Sequence, residues 1–258
     1  MDYEIRFDAE KCLRCGRCAK SCGTGFVRMR DGAPTTGGHI RCIGCGHCVA
    51  ACPVGAVTLN GEGAVTPPED TLEAIFLRRR SIRKYKSEPP ARELVQRALD
   101  IAQYAPSGKN RHANRWTVIY GAESCRRISD MALDFCRETG QNPELLHLAE
   151  KGLDLLTGRA PLVIVGWSPD KVLNPCVDTV IAMHTVQMVL EQHGLGCCWG
   201  GYLRSITNQS PALREQLGIP ADASMQCCMM VGYPDGETYP NIPPRPAAEA
   251  LWLDLFAQ

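Results

Sequence analysis

Eight of the chain's fifteen cysteines lie between Cys12 and Cys52, in two copies of one spacing. Cys12, Cys15, Cys18 and Cys22 read C-x2-C-x2-C-x3-C in CLRCGRCAKSC, and Cys42, Cys45, Cys48 and Cys52 repeat the pattern in CIGCGHCVAACP. Thiolates at this spacing hold [4Fe-4S] clusters, so the sequence predicts two of them. Three cysteines in one short loop wrap one cube, whereas the fourth lies too far along the following helix and reaches the other. The ligand sets therefore cross: Cys12, Cys15 and Cys18 join Cys52, and Cys42, Cys45 and Cys48 join Cys22. Zinc and disulfides are the competing uses of dense cysteine. Zinc ribbons take two separated pairs of ligands and disulfide frameworks belong to secreted chains, so neither pattern suits two runs of four thiols.

Over residues 1–60 the chain resembles bacterial-type ferredoxins, which implies two strand-and-helix halves related by a pseudo-twofold axis. The second motif ends in Cys52-Pro53, as in that group. The first ends in Cys22-Gly23, a change to a turn and not to a ligand. Lys11, Arg14, Arg17 and Lys20 surround the first motif, and residues 1–60 carry eight Lys or Arg against five Asp or Glu, a balance of +3. That excess either solvates a small domain and offsets anionic clusters or forms a docking face for an acidic redox partner. The whole chain has no net charge, so no global field favours nucleic acid or membrane, and neither is expected as a partner.

At 258 residues, the chain is too long for a ferredoxin alone and suggests a second, ordinary domain. A hydrophobic fraction of 45% against 22% charged residues suits a globular protein with a sizeable core. The opening MDYEIRFDAE reads as no secretory leader, and no run of 18 apolar residues occurs, so a cytoplasmic protein is expected. AVTLN closes the first domain as a strand, and the Gly- and Pro-rich stretch 61–70 is a linker. Asp70 and Glu73 start a helix carrying Leu72, Ile75 and Phe76. A second helix is expected from Ala91 to Tyr104, with Leu94, Ala98, Leu99, Ile101 and Ala102 inward. Strands are expected at 116–120 and 161–167, with helical material over 124–156 between them. A long buried helix runs from Asp178 to His193, and MQCCMMVGYP forms a last strand. Helices and strands without regular βαβ alternation give an α+β domain over 71–258.

RRRSIRKY at 78–85 crowds arginines around a serine, and alone such a run is a solvated face or a nucleic-acid patch. It recurs in company with APSGKN at 105–110, CCWGGY at 197–202 and VGYPDGETYPNIPPR at 231–245. Together the four segments resemble the nitroreductase superfamily, FMN enzymes of α+β fold that work as intertwined homodimers. The resemblance implies that Arg79, Arg80, Ser81, Arg83 and Arg245 bind the flavin, with forked guanidinium groups on its phosphate. It also implies that Pro106, Ser107, Gly108 and Asn110 reach over the flavin from the partner subunit. Gly200 and Gly201 match the turn whose backbone approaches flavin N5, the reacting centre; no side chain is assigned as catalytic. Many members carry an acidic residue at the position of Gly200. Related sequences often read N-x-Q-P where this chain has Asn110-Arg111-His112-Ala113, which brings Arg111 and His112 near the pocket or leaves His112 a surface or core role. Cys125, Cys136, Cys176, Cys197, Cys198, Cys227 and Cys228 show no ligand spacing and are expected as small buried hydrophobes.

A flavin takes two electrons and two clusters pass one each, so the combination implies an iron-sulfur flavoprotein oxidoreductase. Electrons would run from ferredoxin or another low-potential donor to FMN and then to a small nitro, quinone or activated alkene compound. Gly194-Leu195-Gly196 is no dinucleotide fingerprint, because Trp199 stands where the third glycine belongs and a helix precedes it. Two alternatives remain: NAD(P)H feeding the flavin with export through the clusters, and a redox sensor or electron-transfer subunit without a small substrate.

Overall fold

The computed structural model describes residues 3–22, 24–37, 41–44, 46–64, 75–76, 79–235, 248–253 and 255. Near the N-terminus, β1 (Ile5–Phe7) pairs antiparallel with β4 (Val57–Leu59), and β2 (Val27–Arg30) with β3 (Ala33–Thr36). Asp31 and Gly32 both have positive φ, the backbone of a tight two-residue hairpin between β2 and β3. Two single-turn helices, α1 (Arg17–Lys20) and α2 (His47–Ala50), follow the two thiol loops. Cys18, Val27, Cys48, Val49 and Val57 close a core between them. Backbone conformation repeats at an interval of thirty residues: positive φ occurs at Arg14 and Gly44, at Gly16 and Gly46, and at Gly25 and Gly55. The two cysteine runs are therefore laid on one backbone path used twice.

A second sheet has the order β5-β6-β8-β7, antiparallel throughout. Its strands are β5 (Arg115–Tyr120), β6 (Leu162–Pro169), β7 (Gly196–Trp199) and β8 (Ala223–Gly232). The central pair, β6 and β8, is buried on both faces, so both read as unbroken apolar runs. Val163 and Val165 face one core with Cys228 and Met230, while Leu162 and Ile164 face the other with Cys227, Met229 and Val231. The first core is covered by α4 (Ala122–Thr139), α5 (Pro143–Glu150), α7 (Gly201–Gln209) and α8 (Pro211–Gln216). The second is covered by α3 (Arg92–Ile101) and α6 (Pro175–Gln192). Burial of α6 on most sides follows from its composition: Ala182, Met183, Val186, Met188 and Leu190 are buried around its circumference.

The elements differ from expectation in places. The helix expected over 91–104 turns 3-10 from Ala102 to Tyr104 and buries Val95, while Leu94 and Ile101 are only half-buried. The 124–156 segment divides at Gly140, whose left-handed φ ends α4, and its last residues form a loop. Pro175 starts α6 three residues before Asp178, since proline suits a first helical turn. CCWGGY splits into the end of β7 and the start of α7. Cys176 is exposed, contrary to the expected burial, because it sits on the open side of that first turn; the other six non-motif cysteines are buried. Leu72 and the expected helix start at Asp70 and Glu73 lie outside the described residues, as does 65–70 of the linker, whereas Ile75 and Phe76 are helical. Among the described residues no helix is long and apolar enough to cross a membrane.

Candidate functional site

Cys12, Cys15, Cys18 and Cys52 line a single small cavity, together with Pro34 and Val57. The fourth cysteine of the second motif thus sits with the first three of the first motif. Burial raises the Cys18 pKa, and the nearby sulfurs of Cys12 and Cys52 raise it further, as expected where anionic ligands crowd together. Among the described residues no three His, Cys, Asp or Glu side chains converge on one metal ion. Four thiols lining one cavity are the donor set that a cube bound through one thiolate at each iron requires.

Backbone amides aim at these sulfurs. Arg14 N–H points at Cys12 Sγ at 3.4 Å, and thirty residues on Gly44 N–H points at Cys42 Sγ at the same distance. Val27 N–H reaches Cys22 Sγ at 3.3 Å, and Ala56 N–H reaches Cys52 Sγ at 3.2 Å. Burial alone would raise the Cys22 pKa, but the Val27 amide and the Thr24 hydroxyl bring it below the ordinary thiol value. Such donors favour thiolate and tune the potential of any cluster it holds. Cys48 is buried and Cys42 half-buried beside them, while Cys45 lies outside the described residues.

The second site is a cavity of about 910 Å³ where the C-terminal end of β7 meets α7. Arg83, Lys84 and Arg159 supply positive charge to its wall, and Trp199, Tyr202 and Met230 supply aromatic and apolar surface. Gly200 and Gly201 form part of the floor. A side chain at Gly201 would meet nothing within 4 Å, so the cavity opens there, and α7 begins at that residue with no side-chain cap on its first amides. An uncapped helix N-terminus favours electron-rich groups. Gly200 is closed off differently: its N–H is engaged by the Cys228 carbonyl at 3.0 Å, and its carbonyl accepts from the Cys228 thiol at 2.9 Å. Burial pushes Cys228 up to about 12, so the thiol remains protonated and able to donate.

One wall is the loop Gly152–Arg159, whose first part, as far as Leu156, the sequence reads as helical. Asp154 holds it together by accepting from the amides of Leu156 at 2.9 Å, Thr157 at 3.0 Å and Arg159 at 3.1 Å, and from the hydroxyls of Thr157 and Ser129. Burial alone would raise its carboxyl, yet these bonds keep it below the usual carboxylate range. The signal available in the sequence was Asp154 followed at three residues by Thr157 and then by Gly158, a turn pattern.

The arginine run separates. Arg83 lines the cavity, whereas Ser81 forms a parallel bridge with Cys197, and Arg79 and Arg80 lie within electrostatic reach of Glu191. Arg245 lies outside the described residues. Pro106, Ser107, Gly108 and Asn110 do not line the cavity of their own chain. Gly108 N–H donates to buried Asp178 at 2.9 Å, and Asn110 Oδ1 pairs with His112 Nε2 at 2.8 Å. Asn110 Nδ2 also donates to the carbonyl of Ile43 in the second thiol loop, joining the two halves of the chain. His112 is half-buried, and its burial lowers its pKa; Arg111 is exposed.

Residues 77–233 match the Nitroreductase family, and residues 4–59 match a 4Fe-4S dicluster domain. An Archaeoglobus fulgidus protein provisionally named NADH dehydrogenase/NAD(P)H nitroreductase is 27% identical over 174 residues, covering 66% of this chain and 88% of that one. A protein with the same provisional name from Methanothermobacter thermautotrophicus is 24% identical over 178 residues, covering 69% and 84%. An FMN-bound nitroreductase from Desulfitobacterium hafniense shares the fold with a TM-score of 0.58 at 23% identity, over 70% of this chain and 100% of that one. Another from Bacteroides fragilis gives 0.61 at 18% identity, over 72% and 100%. The sheet, the cavity at its edge and these matches agree: the chain belongs to the nitroreductase family of oxidoreductases and carries a 4Fe-4S dicluster domain ahead of the family's fold.

Proposed function

We propose that the chain passes electrons from a low-potential donor through two [4Fe-4S] clusters to FMN and on to a small nitro, quinone or activated alkene compound. The observation that carries this reading is the basic, aromatic cavity at Gly200 and Gly201, on the same chain as a pocket of four thiols. Its volume lies within the range of cofactor sites. When bound, FMN supplies two-electron chemistry at N5 and the clusters supply one-electron transfer.

The chain's own residues divide the remaining work. Arg83, Lys84 and Arg159 offer cations to an anionic ligand, with Arg79, Arg80, Ser81 and Arg245 as the further flavin contacts. Trp199 offers a flat apolar surface, and Gly201 leaves room where a ring must approach backbone. The bond from Asn110 to Ile43 supports an order for the two thiol loops, with the second against the flavin domain. The first loop, with exposed Leu13, Arg14, Arg17 and Lys20, remains open to a donor protein such as ferredoxin. Domain limits of 1–60 and 71–258 follow from this division. Exposed Val177 and Ile181 on α6, with Leu251, Trp252 and Leu253, favour a homodimer in which Pro106–Asn110 serve the partner's flavin.

Anaerobic mixing with reduced ferredoxin tests the reading: the flavin should bleach and then turn over a nitroaromatic or quinone. The names of the archaeal relatives favour NAD(P)H as the donor, and the second reading adds the clusters as outlet. Deleting residues 1–60 separates the two. NAD(P)H-driven turnover at the full rate in the truncated protein would replace the first reading by the second.

A further inference from the structure

Asn110 sits in a loop of unusual backbone. Lys109, Asn110 and His112 have left-handed φ of 54°, 54° and 44°, a conformation costly to residues with side chains and kept only where the surroundings impose it. Three bonds impose it here. Asp178 accepts from Gly108 N–H at 2.9 Å, Ser107 Oγ accepts from His112 N–H at 3.0 Å, and Asn110 N–H donates to the Ser107 carbonyl at 2.9 Å. The loop thereby aims the Asn110 amide at the carbonyl of Ile43, next to Cys42. A carbonyl can only accept, so Nδ2 faces it, Oδ1 faces His112, and His112 Nε2 carries the donated proton.

The docked thiol loop and the cavity of the same chain lie toward opposite edges of the sheet. Residues 107–112 lead into β5, whereas Trp199 and Gly200 stand at the end of β7, and β5 and β7 are the two edge strands. Trp199 pairs through Met229 and Ile164 with Val118, a row three strand spacings wide, or about 14 Å. Helix α6 gives a second ruler. Asp178 fixes Gly108, Gln187 Oε1 accepts from Trp199 Nε1 at 2.8 Å, and the nine residues between them rise about 14 Å. Electron transfer through protein weakens steeply with distance, so a cluster held beside Ile43 is badly placed for its own chain's cavity. Beside the docked loop, Leu173, Val177 and Ile181 form an exposed apolar strip with a spacing of four. A twofold axis crossing α6 near Ile181 lays two copies of the helix antiparallel, and the loop end of one then stands by the Trp199 end of the other. One symmetric contact thus covers the strip and gives each docked loop a cavity to serve.

We propose that the second cluster of each chain reduces the flavin of the partner chain, with Asn110 as the positioning residue that holds the thiol loop at the crossing. The proposal rests on reading the cavity as the flavin site and the thiol loops as cluster sites. Each of a chain's two reduced clusters loses one electron, the first by way of the second. The flavin gains both electrons and takes two protons from solvent, and the low-potential donor restores the clusters.

The test combines two full-length chains with different affinity tags and isolates the heterodimer. One chain loses its clusters through Cys15→Ser and Cys22→Ser. Its companion keeps them but has its cavity filled by Gly201→Trp, at the position that opens into that space. Clusters and flavin then lie on different chains, and anaerobic stopped-flow with reduced ferredoxin should bleach the flavin at the wild-type rate. The reciprocal heterodimer, wild type with a chain carrying all three substitutions, has clusters and flavin on one chain and should stay unbleached over the same interval. Iron and flavin contents should be half the wild-type values in both. Bleaching in the reciprocal heterodimer, or its absence in the first while wild type bleaches, overturns the proposal and leaves the flavin reading intact. A wild-type monomer that bleaches does the same. Wild type that holds both cofactors and does not bleach overturns the electron route and the proposal with it. Where the substituted chains do not assemble, Asn110→Asp decides, since it keeps the acceptor for His112 and loses the donor to Ile43. It should slow bleaching by the clusters roughly tenfold or more, as misplaced reactants do, with iron content unchanged. An unchanged rate overturns the proposal.

Discussion

The thiol of Cys228 lies where a side chain at Gly200 would have to go: a Cβ there would sit 2.9 Å from the sulfur. The φ of Gly200 is −106°, which any residue adopts, so the neighbouring sulfur and not the backbone demands glycine. Placing at this position the acidic side chain that many family members carry should therefore cost stability. We expect Gly200→Glu to lose about 1–3 kcal/mol in urea denaturation, as overpacked sites do. Adding Cys228→Ala should return more than half of that loss. A single variant as stable as the parent would show that the β7–α7 turn shifts without cost.

Asp154 should make the cavity wall acid-sensitive. Its carboxyl is held below the usual value in the fold, so the stability it contributes is present above the unfolded pKa near 3.8 and is lost as pH falls through the lower, folded one. Glu191 has the opposite sign: its folded pKa of about 7 exceeds the ordinary 4.5, so stability declines as pH rises between those values. Denaturation midpoints measured across pH should show Asp154→Asn losing its deficit against wild type at the acid end. Glu191→Gln should instead gain on wild type toward neutral pH. Parallel curves for all three proteins would refute both assignments.

Crossed ligation gives three variants with two outcomes. Cys15→Ser and Cys52→Ser should each reduce iron from about eight to about four atoms per chain and leave the same residual electron paramagnetic resonance signal. Cys22→Ser should remove a similar amount of iron but leave the other signal. Matching residual signals from Cys22→Ser and Cys15→Ser would place both thiols on one cluster.

Charge on the first thiol loop should govern entry of electrons from an acidic carrier. Lys11 is already paired with Asp8 at 3.2 Å, so exposed Arg14, Arg17 and Lys20 are the better candidates for steering. Arg14→Glu combined with Lys20→Glu should slow second-order reduction and flatten its dependence on ionic strength without changing iron or flavin content. Stopped-flow traces at several salt concentrations check this. Unaltered salt dependence would leave those cations the task of solvating the domain.

Much of this was legible in the residues because covalent chemistry and periodicity constrain them locally. Eight cysteines at ligand spacing, the apolar circumference of α6 and the unbroken apolar strand β6 each carry their meaning in adjacent positions. What escaped depended on distant partners. The first part of the Gly152–Arg159 wall, to Leu156, reads as helical because Leu153, Leu155 and Leu156 mimic a buried face, while the bonds that hold the wall converge on Asp154. The helix that begins at Gly201 escaped because Gly200 and Gly201 mask helix propensity. Gln187 sat unnoticed in an apolar helix, since its role depends on Trp199, twelve residues away and on a strand.

The backbone repeat at thirty residues has a consequence for direction. Arg14 and Gly44 occupy the same left-handed conformation, with φ of 53° and 65°. For a residue with a side chain this conformation is costly, by roughly 1 kcal/mol, so the first loop carries a charge where glycine would be easier. In the second loop a side chain would collide with Tyr3, whose ring lies 2.4 Å from where the Cβ of residue 44 would stand. One loop wears a cation toward the outside, and the other is stripped to backbone where its neighbour Ile43 meets Asn110. Duplication alone would make the two loops alike. Here two side-chain choices on a shared path give one loop a charged outer face and leave the other bare, the asymmetry that the proposed relay would need in order to run one way.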